Sequence, residues 1–485
     1  MSAHDVEVTA EPGPTASRRP RVAVIGGGLT GLATAFHLGD DAEVLVIEAA
    51  PEPGGQVRTA TFAGAPLDVG ADAFLARQPE AEQLVRDLGF GDDDLVEPAT
   101  GQVHLWVRGR LRPLPTDTVL GAPSSIAALR RSGVLTLPGL LRAAAEPLLP
   151  RREVAGDRSV ADLIGERFGR EVVDTLVEPL LGGVYAGDVD RLSAQATLPP
   201  VWQAASAHRS LIRGLAAHRA RTAGDDRPVF KTVRGGLGTV VQRLVAALGD
   251  RVRCGTRVRR LRRCDDGRWA LELVSSTGGA HAQVEEVRVD QVVLAVPAAA
   301  AAVLLAEVDA DVARELAAIR AASVAVVALS YAPGDATRIP AGSGVLVPRT
   351  QGRLVKAVTI SSRKWPHQAA RSDAFVLRAS VGRIDDATAL ELDDDVLVER
   401  VDAEVRALLG FTGAARDGLV QRWTDALPQY DVGHHARLDR VRTALFEDHP
   451  GLQLGGASFD GVGLAARAQD ASRLAHEVRW TAANR

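Results

Sequence analysis

The stretch Arg21–Gly31, with the sequence RVAVIGGGLTG, joins an apolar run to a glycine-rich turn. Four consecutive apolar residues after Arg21 are typical of a buried parallel strand, and apolar residues recur at helical spacing after the turn. The spacing of Gly26, Gly28 and Gly31 allows a tight turn, a close approach of the backbone to a pyrophosphate, and close packing of strand on helix. The stretch therefore predicts a strand, a turn and a helix whose positive end faces the phosphates of a dinucleotide.

An acidic residue follows the second predicted strand, at a position from which it could bind a ribose. A second predicted strand, residues 44–47, ends in Glu48, twenty residues after Gly28. A carboxylate at this place can accept hydrogen bonds from both ribose hydroxyls, which argues against a phosphate on the 2′ position. A glycine turn alone would also fit an ordinary βα connection without a ligand. The turn, the helix and the acid together favour a bound dinucleotide.

The composition fits a globular enzyme of two or three domains. The chain has 485 residues, of which 46% are hydrophobic, and its net charge of -4 gives no general attraction for nucleic acid. Cys254 and Cys264 follow no metal-ligand spacing, so neither a disulfide framework nor a metal site is expected. A reducing cytoplasm is the expected compartment. Residues 1–20 are polar, lack the apolar core of a secretory signal, and are predicted to be a disordered tail.

The sequence leaves two interpretations of one apolar segment. Nothing in it approaches the roughly 20 apolar residues of a membrane-spanning helix. Leucines and alanines in Leu135–Leu149, with Arg151 and Arg152 just after them, could form a helix on a bilayer surface. A helix packed against its own protein explains the same pattern equally well. Peripheral association with the inner face of the cell membrane is one of the two expectations.

A second glycine pair points to the kind of dinucleotide. Gly54 and Gly55 are followed by Gln56, Val57, Arg58 and Thr59. This segment resembles the extension found after the nucleotide turn in flavoproteins of the amine oxidase and desaturase type. The resemblance implies that Arg58 helps to hold the diphosphate and that the cofactor is FAD rather than NAD.

Three further segments resemble the protoporphyrinogen and coproporphyrinogen oxidases. They are Val177–Asp188 with Leu192 and Ser193, then Ala207–Leu211, then Arg422–His434 with its Pro-Gln-Tyr run. The resemblance runs in order from about residue 21 to 480. Lys356–Thr359 and Ser361–Pro366 are similar to the bacterial, actinobacterial-type, oxygen-dependent coproporphyrinogen III oxidases rather than to mitochondrial protoporphyrinogen oxidases.

The resemblance implies an α/β fold with three parts. A Rossmann-type FAD-binding domain, like those of the amine oxidases and p-hydroxybenzoate hydroxylase, carries an α+β substrate-binding domain and an inserted helical domain. The expected division is a disordered tail at 1–20, the FAD-binding domain at 21–90, 221–298 and 446–485, a helical, membrane-associating insertion at 91–220, and the substrate-binding domain at 299–445.

The family's FAD contacts can be placed on this sequence by resemblance. They fall on the glycine turn, the ribose acid, the second glycine segment, the loop after Gly70, one strand residue, one tryptophan and the carboxy-terminal glycine loop: Gly26, Gly27, Gly28, Leu29, Thr30, Gly31, Glu48, Ala49, Gln56, Arg58, Gly70, Ala71, Asp72, Ala73, Val258, Trp423, Ala457, Val462, Gly463 and Leu464. The carboxy-terminal loop also predicts a helix amino end at the flavin's pyrimidine side. The chain departs from the family at Ala71 and Ala465, where proline is usual, and at Arg467, where cysteine is usual.

The resemblance implies a FAD-dependent oxidase that converts coproporphyrinogen III to coproporphyrin III in haem biosynthesis. Six electrons leave the macrocycle, and three O₂ become three H₂O₂. Flavin N5 is the hydride acceptor, and the pyrrole proton can leave to water or by tautomerisation, so no side chain is assigned a catalytic role. A transient contact with ferrochelatase is also implied. The alternatives are a protoporphyrinogen IX oxidase, an amine oxidase or carotenoid desaturase of the same fold, and a non-catalytic binding protein of the haem pathway.

The substrate cavity is also expected from the resemblance. Gly183 would leave room in its wall, Leu346 would stack on the ring, and Ser343 falls where a mitochondrial relative has a bulky aromatic residue. Four propionates on coproporphyrinogen favour cationic or hydrogen-bonding partners; the candidates are Lys356, Arg349, Arg353, Lys364, Arg209 and Tyr185. Lys356 is preferred because it lies inside an apolar strand. Surface charge, or a core position for the tyrosine, explains each single candidate as well, and His208 and His434 are interpreted as structural hydrogen bonders.

Overall fold

A computed structural model describes residues 18–150, 154–222, 227–275, 284–336, 339–369 and 373–484. Most of the predicted tail at 1–20, and the pair Arg151 and Arg152, lie outside these residues. The strands of the described chain are β1 Arg21–Ile25, β2 Glu43–Ile47, β3 Thr59–Phe62, β4 Ala65–Asp68, β5 Phe74–Leu75, β6 Leu95–Val96, β7 Val103–Val107, β8 Arg110–Pro113, β9 Thr118–Val119, β10 Ala122–Pro123, β11 Phe230–Val233, β12 Val252–Arg253, β13 Thr256–Arg263, β14 Trp269–Ser275, β15 Val284–Val289, β16 Gln291–Leu294, β17 Ala321–Tyr331, β18 Gly344–Leu346, β19 Val355–Thr359, β20 Phe375–Val381, β21 Asp417–Pro428 and β22 Leu452–Leu454.

The helices of the described chain are α1 Leu29–Leu38, α2 Pro79–Asp87, α3 Ile126–Ser132, α4 Leu137–Ala144, α5 Val160–Phe168, α6 Arg170–Val172, α7 Glu178–Tyr185, α8 Ala194–Thr197, α9 Pro199–Ala207, α10 Leu211–Thr222, α11 Gly238–Leu248, α12 Ala298–Leu305, α13 Ala310–Ala317, α14 Ser361–Lys364, α15 Pro366–Ala369, α16 Asp394–Leu409, α17 His434–Asp448 and α18 Leu464–Ala483. A π-helical turn, Val173–Val177, joins α6 to α7.

A parallel sheet brings together distant parts of the chain. Its strand order is β12-β2-β1-β16-β22, and all neighbouring strands are parallel. Val22 and Val24 face a core that contains α1, α11 and α18, whereas Ala23 and Ile25 face a core that contains α12, α13 and α17. Burial on both faces explains why β1 is a continuous apolar run. The predicted α/β fold is confirmed, and the segments after these strands all leave the sheet at one edge.

A second, mixed sheet has the order β21-β17-β20-β19-β18-β7-β8 and packs one face against α16. Strands β7 and β8 come from residues 103–113, which the sequence analysis placed in the helical insertion. They form a hairpin instead, because Arg108 and Gly109 both have positive φ angles, 51° and 72°, at the two-residue turn. This is the turn geometry that matches the twist of paired antiparallel strands.

Helices α3 to α10 form a layer with its own apolar core. Helices α9 and α10 are separated by a break at residues 208–210. The segment Leu135–Leu149 contains α4, on which Leu137 and Leu141 are 69% and 61% exposed. Among the residues that the structure describes, none of the helices combines the length and the apolar character needed to cross a bilayer.

Candidate active site

The two ends of the chain meet at the carboxyl edge of the parallel sheet. Gly26 follows β1 with φ +109°, and a Cβ there would overlap the carbonyl oxygen of Ala295, the residue after β16. The backbone N–H of Gly455, after β22, donates to the carbonyl oxygen of Leu294 at 3.0 Å. The amino-terminal glycine turn and the carboxy-terminal glycine loop are therefore neighbours, as a site built from both requires.

Two helix amino ends face this edge. Helix α1 begins directly after Gly28 and α18 directly after Gly463, and within the described chain no side chain caps either of them. A Cβ at Gly28 or Gly463 would meet no described atom within 4 Å. Uncapped N–H groups with positive helix ends, beside unfilled space, form a cradle for an anionic ligand such as a diphosphate.

Glu48 lies beside the glycine turn, as a ribose-binding acid must. Its Oε2 accepts a hydrogen bond from the Gly27 N–H at 2.6 Å, and its Oε1 accepts one from the Ala50 N–H at 2.7 Å. Ala49 lies between these two contacts. The Gly54 N–H donates to the Gly27 carbonyl at 2.7 Å, so the second glycine pair is packed on the first turn. These residues fit the ribose and diphosphate of FAD.

Arg58 forms an exposed ion pair with Glu52. Its guanidinium is 3.3 Å from Glu52, and the two side chains are 40% and 76% exposed. An exposed ion pair of this kind contributes about 0–1 kcal/mol, so it does not fix Arg58 strongly.

Asp72, in the loop Gly70–Ala73, is held by two cations. Its Oδ2 lies 2.9 Å from Lys364 Nζ and 2.8 Å from the Arg378 guanidinium, and it accepts a hydrogen bond from Trp365 Nε1 at 3.3 Å. Burial opposes ionisation, but Arg378 and Lys364 outweigh it and hold the pKa of Asp72 well below its usual range. Lys364, a candidate for binding propionate, is thus engaged in fixing this loop.

Trp423 and Gln56, two of the predicted cofactor residues, contact the segment at Val69 and Gly70. Trp423 Nε1 donates to the Val69 carbonyl at 3.0 Å. A Cβ at Gly70 would overlap the carbonyl oxygen of Gln56, so this glycine lets the two cofactor segments touch, with Ala71 half-buried beside it. Val258 is buried in β13, at a bulge in its pairing with β14.

The carboxy-terminal loop is fixed by residues that the sequence analysis did not assign to the site. The Tyr430 hydroxyl donates to the Ala457 carbonyl at 2.6 Å and accepts from the Gly461 N–H at 2.8 Å. His434 stacks on the Tyr430 ring, and its Nε2 is 3.0 Å from the Phe459 carbonyl oxygen. Burial lowers the pKa of His434 to about 4, so it is neutral at pH 7. The Pro-Gln-Tyr segment was the signal that could have identified Tyr430.

Helix α7 brings the expected substrate residues to the same region. It packs over β18 and β19, and a Cβ at Gly183 would lie 3.9 Å from Leu346 Cδ2. The Tyr185 ring is centred 5.6 Å from the Tyr430 ring, and its carbonyl oxygen accepts a hydrogen bond from Gln429 Nε2 at 2.8 Å. Burial raises the pKa of Tyr185 to about 12. Gly183, Leu346 and Tyr185 are therefore linked to the carboxy-terminal loop through Tyr430.

Lys356 is a buried cation on β19. Only 2% of its surface is exposed, and its Nζ has no hydrogen-bond partner among the described residues. Burial and the charge of Arg383 lower the pKa of Lys356 to about 7, and Glu178 acts in the opposite direction. Glu178 lies 3.6 Å from Arg383 Nε and accepts a hydrogen bond from the Arg349 N–H at 2.9 Å.

The remaining candidate residues lie outside the α-helices and β-strands. Arg209 and His208 are exposed in the turn between α9 and α10, and Arg349 is exposed after β18. Arg353 is half-buried just before β19. The Ser343 hydroxyl donates to the Gln102 carbonyl at 3.1 Å.

The family described as flavin containing amine oxidoreductase matches residues 29–473. The chain belongs to this family. Its cofactor is FAD, and it is an oxidoreductase; both predictions are confirmed by this membership.

The proteins similar to this chain include coproporphyrinogen III oxidases and a protoporphyrinogen oxidase structure. The chain is 35% identical to a coproporphyrinogen III oxidase of Bacillus subtilis (strain 168) over 92% of this chain and 95% of that protein. It is 36% identical to a coproporphyrinogen III oxidase of Mycobacterium tuberculosis (strain H37Rv) over 94% of this chain and 96% of that protein. A crystal structure assigned as a protoporphyrinogen oxidase from Exiguobacterium sp. 255-15 superimposes with a TM-score of 0.83 and 29% identity, over 96% of this chain and 99% of that chain. The predicted resemblance is confirmed.

Proposed function

We propose that this flavoprotein oxidises coproporphyrinogen III to coproporphyrin III in haem biosynthesis, with three O₂ reduced to three H₂O₂. The observation that carries the substrate choice is the unpaired, buried amine of Lys356, close to the helix whose Gly183 leaves space above Leu346. The coproporphyrinogen III oxidases among its relatives support the same choice.

FAD, when bound, supplies two-electron oxidation of the substrate and transfer of the electrons to O₂. The chain's own residues bind and orient the two molecules. The amino ends of α1 and α18 bind the negative groups of the cofactor, and Glu48 binds its ribose. Tyr430 holds the carboxy-terminal loop in place.

The substrate's groups are held from α7, β18 and β19. Gly183 leaves room for the macrocycle, and Leu346 supplies an apolar contact to its face. Lys356 pairs with one propionate; a carboxylate beside the buried amine favours its charged form. The phenol of Tyr185 is protonated at neutral pH, and burial raises its pKa further, to about 12, so it acts as a hydrogen-bond donor rather than a base.

Comparing turnover of coproporphyrinogen III and protoporphyrinogen IX by product fluorescence tests the proposal. We expect the four-propionate substrate to be preferred, and Lys356→Met to reduce that preference by about tenfold, the value of a charge-assisted hydrogen bond. Lys231→Met is the matched control, because Lys231 pairs with Glu82 at 2.9 Å on another part of the molecule. A clear preference of the wild type for protoporphyrinogen IX would contradict the substrate choice.

The proposal includes a cytoplasmic location with peripheral contact at the inner face of the cell membrane. Leu137, Leu141 and Leu148 support it, since they are 69%, 61% and 81% exposed on one short segment. Cosedimentation with vesicles of anionic lipid tests this part; Leu137→Ser/Leu141→Ser should remain in the supernatant. Transfer of the product to a ferrochelatase is proposed on the resemblance alone.

A further inference from the structure

Arg467 is a buried arginine without an acidic partner. It lies in the first turns of α18 and is 8% exposed. One terminal nitrogen donates to Gln56 Oε1 at 3.1 Å, and Nε donates to no described acceptor. Burial lowers the pKa of Arg467, and among the described groups the phenol of Tyr430 is what opposes this shift. Within the described chain, no carboxylate lies within ion-pair distance of its guanidinium.

Other buried arginines of this protein have counter-ions. Arg167 pairs with Glu146, and Arg378 pairs with Asp72 at 2.8 Å. Arg383, which is 8% exposed, lies 3.6 Å from Glu178. A buried charge without a partner is costly, by several kcal/mol in general, so proteins normally pair it or use it for a ligand.

Arg467 lies at the cofactor edge, by which we mean the carboxyl edge of the parallel sheet where the turn Gly26–Gly31 meets the glycine loop before α18. Its backbone N–H donates to the Gly463 carbonyl at 3.1 Å, one turn after the glycine loop. Gln56, its hydrogen-bond partner, follows the second glycine pair, and the Gln56 amide nitrogen donates to the Ala426 carbonyl. That contact turns the Gln56 oxygen towards the guanidinium. The uncapped amino end of α18 adds positive potential at the same place.

We propose that Arg467 binds an anionic group of FAD, which completes the charge pairing that the protein itself leaves open. Two parts of FAD have this chemistry: the diphosphate, and the pyrimidine end of the flavin, where negative charge develops on reduction. The inference rests on FAD binding and not on the porphyrinogen substrate. Because the family resemblance places cysteine at this position, the contact is a property of this chain.

The test compares Arg467→Met with Arg479→Met. Arg479 lies near the end of the same helix, is 43% exposed and pairs with Asp41 at 2.7 Å, which makes it a matched control. FAD is removed from each protein, and the dissociation constants of FAD and of ADP are measured by quenching of flavin fluorescence and by competition. The midpoint potential of the reconstituted flavin is measured as well.

We expect Arg467→Met to bind FAD at least tenfold more weakly, or to bind the reduced flavin tenfold more weakly relative to the oxidised one. A diphosphate contact weakens FAD and ADP together and leaves the potential unchanged. A contact to the pyrimidine end leaves ADP unchanged and lowers the two-electron midpoint potential by about 30 mV, which corresponds to that tenfold change. Arg479→Met should match the wild type, and Arg467→Lys should recover part of the loss.

Thermal unfolding of the apoproteins separates binding from folding. Apo Arg467→Met should unfold at or above the wild-type temperature, because an unpaired buried charge has been removed. A lower unfolding temperature of the apoprotein with unchanged affinity and potential would make Arg467 structural and overturn the proposal. Unchanged FAD properties with a raised KM for coproporphyrinogen would also overturn it, by assigning the cation to the substrate. FAD binding is measured without porphyrinogen, so these outcomes do not depend on the proposed function.

Discussion

The hydroxyl of Tyr430 donates a hydrogen bond to the carbonyl oxygen of Ala457 at 2.6 Å. The same oxygen accepts a hydrogen bond from the Gly461 N–H at 2.8 Å, so one side chain holds two points of the loop before α18. Tyr430 lies just after β21 of the mixed sheet, whereas the loop follows β22 of the parallel sheet. This side chain therefore connects the mixed sheet to the loop at the carboxyl edge of the parallel sheet.

Tyr430→Phe should weaken FAD binding as well as stability. The substitution keeps the ring but leaves the Ala457 carbonyl and the Gly461 N–H without their partner, at a cost of about 1–3 kcal/mol. Tyr331→Phe is the control, because the Tyr331 hydroxyl donates to Asp402 at 2.7 Å in the core of the mixed sheet. Urea unfolding should show a loss for both variants, and FAD titration a loss for Tyr430→Phe alone. Equal FAD affinity in the two variants would contradict the link.

The cofactor edge could be predicted from the sequence because its signals are local. The turn at Gly26–Gly31, the acid Glu48 and the loop at Val462–Leu464 each depend on a few adjacent residues whose backbone conformation is restricted. The hairpin at Arg108 and Gly109 was missed although it has a local signal, a glycine turn between alternating residues.

The charge pairings could not be predicted in the same way. Lys364 was a candidate for the substrate, but it binds Asp72, almost three hundred residues earlier in the chain. Which of many arginines and lysines meets a given carboxylate depends on the packing of whole layers, and sequence spacing carries no information about it. Arg378 was not assigned to the site for the same reason, and Arg467 was noted only as a departure from the family's cysteine.

Gly183→Leu should affect the substrate without affecting the fold. Gly183 is exposed on α7, and a Cβ there would make only an ordinary contact, at 3.9 Å, with Leu346. Leucine also favours a helix by about 1 kcal/mol relative to glycine, so stability should be equal or slightly higher. The added side chain occupies the space proposed for the macrocycle, and we expect the KM for coproporphyrinogen III to rise by about tenfold or more.

Steady-state kinetics and thermal unfolding check this expectation. Val184→Leu is the control, since Val184 is the next residue on the same helix and is 50% exposed. An unchanged KM in Gly183→Leu would place the macrocycle elsewhere.

Lys356 should make stability depend on pH. Burial and Arg383 lower its pKa to about 7 in the folded, substrate-free protein, whereas an unfolded lysine has a pKa of about 10.4. Between these values the unfolded chain binds more protons than the folded one, so the free energy of unfolding rises with pH, by at most about 1.4 kcal/mol per unit. Below pH 7 both states are protonated, and the destabilisation caused by the buried ammonium is fully present.

Urea unfolding of the wild type, Lys356→Met and Lys231→Met at several pH values between 6 and about 9.5 measures this effect. Lys356→Met should be more stable than the wild type at the lowest pH, and the difference should shrink as the pH rises. Lys231→Met should run parallel to the wild type. A constant difference between Lys356→Met and the wild type would mean that the lysine keeps its charge throughout, paired with Glu178.

Glu146 should be essential for the helical layer but not for the flavin. It is fully buried between α4 and α5, where its Oε1 accepts a hydrogen bond from Arg167 Nε at 2.9 Å. The same carboxylate accepts hydrogen bonds from the Ser210 hydroxyl and the Leu211 N–H, both at 2.7 Å, and so caps α10. This contact lies at the break between α9 and α10.

Glu146→Ala should lower the free energy of unfolding by about 3–5 kcal/mol, because it leaves the Arg167 guanidinium buried without a counter-ion. The double variant Glu146→Ala/Arg167→Met should recover part of this loss, since it removes both charges. The flavin absorption spectrum should be unchanged in both, as neither residue lies at the sheet edge. Strictly additive losses would show that the two side chains do not interact in solution.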